Sequence, residues 1–108
     1  RIQCRKKDEN LFMEVSGEAT IGNIARVRSF FSDIVHGRST TCRIDLSPVI
    51  SIDLPFVQLL ISFRNSMERE GKTVTFDPIP WDHPVTVFIM NTGIDPENFF
   101  RQRSTYGI

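Results

Sequence analysis

Cysteine is scarce: Cys4 and Cys42 are the two in the chain, and neither has a second Cys or a His at ligand spacing. A zinc site or a disulfide framework therefore has no basis, and a reducing cytoplasm suits such a chain best. Histidine is equally thin, with His36 and His83 alone and no nucleophile set beside them, so a hydrolase triad finds no footing. Glycines are scattered, which excludes a phosphate-cradling loop. No apolar run approaches the roughly 18 residues that would span a bilayer, so direct membrane insertion is not expected. An excess of one charge is missing too: thirteen basic residues balance thirteen acidic ones, leaving no net field to steer nucleic acid or anionic lipid. The basic cluster Arg5, Lys6, Lys7 runs straight into Asp8 and Glu9 and reads as a solvated strand end, not a binding patch.

What is present is ordinary globular composition. In 108 residues, 40% are hydrophobic and 24% charged, enough for one domain over residues 1–108 with its own modest core. Residues 2–15 read as two strands around a turn at "KKDEN", with Gly17 ending the second. Thr20 is placed to cap a helix whose stripe is Ile24, Val27, Phe31 and Ile34, and Gly37 to end it in the left-handed region. "TTCRIDLS" alternates Cys42, Ile44 and Leu46 with polar partners, predicting a central strand that Ser47 and Pro48 close. A second helix starts at Asp53, whose carboxylate can accept first-turn N–H bonds. Pro55 is tolerated there because early helical N–H groups lack partners anyway.

That second helix runs to Glu70, stopped by Gly71, and buries Phe56, Leu60, Phe63 and Met67, flanked by Val57, Leu59 and Ile61. "KTVTF" is a further strand. Asp82 or His83 caps a third helix beginning at Pro84 and ending near Gly93, and the tail holds one helical turn around Phe99 and Phe100. The expected order is strand, strand, helix, strand, helix, strand, helix. Strands separated by helices of this length lie parallel.

The stretch "RIDLSPVISIDLPFVQLLISFRNSMEREGKTVTF", residues 43–76, resembles the STAS domains, the group named for sulfate transporters and anti-sigma factor antagonists. The likeness is a strand ending in an aspartate, a short turn with a second aspartate, a long helix, a glycine and another strand. It implies a small α/β domain with an approximately four-stranded mixed sheet and helices mainly on one face, no cofactor, no metal and no catalysis. It implies a bacterial, cytoplasmic docking module. Its partner would be a protein, either a kinase-like anti-sigma factor or the ATPase of a lipid-exporting transporter, and a homodimer is compatible with it.

In the antagonists the aspartate matching Asp53 is followed by two small residues and a glycine, the second small residue being a Ser or Thr that a kinase phosphorylates. Here Leu54, Pro55 and Phe56 stand in those places. Proline has no hydroxyl to accept a phosphoryl group, so Pro55 is a degenerate phosphorylation position and the usual switch cannot operate. The expected partner-binding residues are Ser47, Ser51, Asp53, Leu54, Pro55 and Phe56, with an apolar surface through Leu54 and Phe56. Ser47 and Ser51 read as hydrogen-bonding turn residues and not as substitute phosphorylation targets.

Other readings weigh less. Asp45 and Asp53 could form a metal-binding or acid–base pair, but no third ligand joins them, and two caps satisfying backbone donors explain them. His36 precedes a helix-ending glycine, where the dipole favours it. Trp81 is expected to plug the core. The alternative function is a ligand-sensing domain in which the nine phenylalanines and the Asp53 helix start make a pocket.

Overall fold

Alternation of buried and exposed side chains puts Leu11, Met13, Cys42, Ile44, Val74 and Phe76 on one side of a sheet, and that side is where the helices lie. The structure, a computed structural model, describes residues 1–20, 22 and 24–100, except the side chain of Ile24. Strands β1 (Ile2–Lys7) and β2 (Asn10–Val15) form an antiparallel hairpin turned at Asp8, whose φ is 57°. Strand β3 (Gly17–Ala19) and helix α1 (Ile24–Val35) follow, then β4 (Thr41–Asp45), β5 (Val49–Ile52) and α2 (Leu54–Arg69). Strand β6 (Thr73–Phe76) and helices α3 (Pro84–Asn91) and α4 (Pro96–Phe99) complete the described chain.

The main sheet has four strands in the order β1-β2-β4-β6, mixed because β1 is antiparallel while β2, β4 and β6 are parallel. Parallel neighbours need crossover connections, which α1 and α2 supply. The register Leu11↔Cys42↔Val74 and Met13↔Ile44↔Phe76 carries one apolar surface across three strands. Helix α2 covers it with Phe56, Leu60, Phe63 and Met67, and α1 joins through Phe31, stacked on Phe63 at 4.7 Å between ring centroids. Lys72 ties the α1 end down, its Nζ donating to the carbonyls of Val35 (2.6 Å) and Gly37 (2.8 Å) that the helix leaves without partners. The opposite face of the sheet is polar: Arg5 lies over the Phe12 ring and Arg43 pairs with Asp77.

The expected mixed sheet, its central β4, the Asp53 start of α2, the Gly71 stop (φ 75°), the His83 cap and the turn at Phe99 are all present. Three expectations are corrected and one is extended. Thr20 lies four residues ahead of α1, out of reach as its cap, because the chain first makes β3. Gly37 is not left-handed; glycine suits it for lack of a side chain, since a Cβ would come 3.1 Å from the Asp33 carbonyl oxygen. Gly17 (φ 73°) does end β2, but it opens β3, which pairs in parallel with β5 as a second, two-stranded sheet. Trp81 is 64% exposed and plugs nothing, because Val85 and Ile89 of α3 fill that part of the core.

Candidate functional site

The carboxyl ends of β2, β4 and β6 point the same way, and the segments leaving them gather at one end of the sheet, where open α/β sheets commonly place their sites. Asp45 closes β4 and its Oδ1 accepts from the Ser47 N–H at 2.9 Å, which folds the chain over. Leu46 is buried under the turn, and the Val49 N–H returns to its carbonyl at 3.0 Å. Pro48 offers its carbonyl to the Gly17 N–H (3.0 Å), and β5 then runs beside β3 until the Asp53 N–H meets the Ala19 carbonyl at 3.3 Å.

Asp53 has extended backbone (φ −109°, ψ 165°) and its Oδ1 accepts from the Phe56 N–H at 2.9 Å, an N-cap for α2. Leu54 and Pro55 follow in the first turn, where a missing proline N–H has no consequence. Phe56 is only 3% exposed: the capped helix start turns its ring into the core, so it supports the surface from beneath and does not belong to it. Leu54 (41% exposed), Pro55, Ser47 and Ser51 are on the outside.

Sequence reasoning missed two features of this end. Ile50 is 66% exposed, because β5 turns Val49 and Ile52 inward and leaves Ile50 and Ser51 outside. The signal was present in three β-branched residues within "VISI". His83 was expected only as a cap. Its Nδ1 accepts from the Val85 N–H at 3.0 Å, which puts the proton on Nε2, and Nε2 donates to the Ser47 carbonyl at 3.0 Å. One imidazole thus starts α3 and clamps the turn after β4, while α3 packs on β5.

Asp45 and Asp53 each satisfy a backbone donor of their own turn, the work of caps, not of a metal pair. Among the described residues, no group of three or more His, Cys, Asp or Glu is placed to hold a metal ion. Burial, with a smaller contribution from Cys4, pushes the Cys42 thiol up to about 12, far from a reactive thiolate. His36 is exposed at the α1 terminus with Nδ1 2.9 Å from the Ser32 carbonyl. Among the described residues, no helix is long and apolar enough to cross a membrane.

A hydrogen-bonded turn, a capped helix start and exposed aliphatic side chains around them thus gather at one end of the mixed sheet. The chain belongs to the STAS domain family: the family model described as "Mlab, STAS domain" matches residues 2–95. Members of that family are generally non-enzymatic. Among solved structures, the fold is similar to the anti-sigma factor antagonist SpoIIAA in its unphosphorylated form, with a TM-score of 0.67, 16% identity, and 87% of this chain and 84% of that chain covered. The Bacillus cell fate determinant SpoIIAA in its phosphorylated form gives a TM-score of 0.69 at 15% identity over 97% of this chain and 93% of that one. A candidate anti-sigma factor antagonist from Thermotoga maritima gives 0.67 at 15% identity over 85% and 80%. No curated protein matches the chain.

Proposed function

We propose that this chain, as one domain over residues 1–108, is a non-catalytic cytoplasmic docking module that binds a protein partner through Ser47–Pro55, with no phosphorylation switch in the first turn of α2. The observation that carries the reading is the pairing of exposed Ile50 and Leu54 with a braced turn at a helix start whose first residues, Leu54, Pro55 and Phe56, hold no hydroxyl. A phosphate there would meet the positive end of the α2 dipole, which is why charge at this place could control docking. With the acceptor atom gone, docking is constitutive. Of the two partner classes, the ATPase of a lipid-exporting transporter is favoured over a kinase-like anti-sigma factor, since a kinase would find no substrate atom at Pro55.

The test is calorimetric titration of wild type and Leu54→Asp into the partner captured from the source cell. A buried charge at this position should weaken binding by about 1–3 kcal/mol while the far-UV spectrum and melting temperature stay as in wild type. Equal affinity for the two would move the docking face elsewhere. ATP hydrolysis by the partner, measured with and without the domain, then separates a transporter ATPase from a protein kinase.

A further inference from the structure

A second feature of the same end of the sheet stands apart from the docking turn. Behind β6, a cavity of about 280 Å³ is lined by Phe76, Phe100, Trp81, Ile79, Asp77 and Glu97, together with two prolines and Thr86. Phe76 and Phe100 meet edge to face, their planes 88° apart and centroids 5.8 Å apart, so Phe100 stands as a wall over a floor edge that Phe76, only 4% exposed, supplies. Phe99 fixes that corner from inside, edge to face with Phe100 at 4.8 Å. Trp81 stands beside it largely in solvent, an arrangement that leaves the biggest aromatic surface of the chain unused by the fold.

The polar groups of the cavity have one character. The Thr86 hydroxyl is committed to the Pro80 carbonyl at 3.0 Å. The remaining polar side chains among the described residues are the carboxylates of Asp77 and Glu97, and no described lysine, arginine or histidine lines the space. Asp77 gives one oxygen to Arg43 on the outer face of the sheet, so Glu97 supplies most of the uncompensated negative charge. Aromatic faces with carboxylates at the margin suit a cation whose charge is spread over apolar groups, because ring quadrupoles attract it and no strong hydration shell is lost. An anion would be repelled, and a plain hydrocarbon would leave the carboxylates without a counter-charge. The volume lies just below the usual range of ligand pockets and admits one small molecule.

From this we infer that the Trp81–Phe76–Phe100 cavity is a binding site for a small free organic ammonium ion of the methylated type. The site lies at the carboxyl end of β6, where the loops of a parallel sheet diverge. It is separate from the Ser47–Pro55 turn and does not depend on what docks there.

Trp81 is the one tryptophan of the chain, so its fluorescence reports the site without labels. The full chain is titrated with choline chloride and, at matched ionic strength, with 3,3-dimethylbutan-1-ol, which has the shape of choline without its charge. A saturable change with choline, and binding of the alcohol weaker by about tenfold or more, is expected. Equal binding of both, or a linear response to choline through the high millimolar range, overturns the assignment. Because Trp81→Leu removes the reporter, its affinity and that of Glu97→Gln are read from choline methyl line broadening. Both side chains are exposed, so both variants should melt as wild type does, with affinity reduced about tenfold for Trp81→Leu and severalfold for Glu97→Gln. Wild-type affinity in both variants would also overturn it.

Discussion

Replacing Ile50 by threonine removes apolar surface from the docking turn while keeping a β-branched side chain suited to a strand. Ile50 shows 66% of its surface to solvent. Fully burying an isoleucine side chain is worth about 1.5–3 kcal/mol, so a partner covering that exposed part gains about 1–2 kcal/mol. Threonine forfeits this and brings a hydroxyl that, if left without a partner in the interface, costs about 1–3 kcal/mol more. The sum is about 2–5 kcal/mol, a loss of roughly 30- to 4000-fold in Kd. In the free domain the same change should move stability by no more than about 0.5 kcal/mol, since the side chain touches little of the core. Isothermal titration of the captured partner reads the first number and a thermal melt the second. Thr75→Ala, on the uncovered polar face of the sheet, is the control and should bind as wild type. Unchanged affinity for Ile50→Thr beside an unchanged melt would refute the assignment of this face.

Other expectations can be checked on the isolated domain. His83→Ala removes the α3 cap and the clamp on the Ser47 carbonyl, lowering stability by about 1 kcal/mol by chemical denaturation, with faster amide exchange in the turn at residues 46–49. Arg64→Ala should be among the most damaging single changes, about 2–4 kcal/mol. That arginine is 3% exposed and its guanidinium reaches from α2 to the Phe99 carbonyl, so the change strips both packing and the tie to α4. Iodoacetamide at pH 8 should modify exposed Cys4 and spare Cys42 until the protein unfolds, as intact mass and peptide mapping will show. Cys42 keeps its proton in the folded state up to about 12 against an ordinary 9.0, whereas the unfolded chain releases it near 9.0. That contribution to stability is therefore complete below pH 9 and declines as pH rises toward 12, a trend that Cys42→Ala should flatten.

The periodic and punctuated parts of the chain were legible in the sequence. Cys42, Ile44 and Leu46 alternate cleanly, Asp53-Leu54-Pro55 carries its own capping chemistry, and Gly71 and Gly93 occupy positive-φ stops. The β3 and β5 ribbon was not, because three and four residues are too short to show a period, and "VISI" lies between Pro48 and Asp53, which read as loop. Thr20 reads as a helix cap because its hydroxyl precedes the Ile24 stripe, whereas it directly follows β3 and lies four residues ahead of α1. Trp81 was misplaced because composition alone favours burying an indole, while the actual fill of α3 is Val85 and Ile89. Arg64 escaped notice because a charged residue four positions after Leu60 breaks the apolar stripe, although the same spacing puts it on the buried side of the helix. At the site, Asp53 and Pro55 were readable from residue chemistry. The outward turn of Ile50 depends on β5 pairing with β3, and the second bond of His83 on a partner 36 residues away.

Amide hydrogen exchange of the domain bound to its partner, with and without prior phosphatase treatment, probes the constitutive docking face most directly. The account predicts protection concentrated in residues 47–54, equal in the two samples, with Ser47 and Ser51 unmodified by mass. Protection on the polar face of the sheet instead, or protection at the turn that phosphatase abolishes or creates, would contradict it.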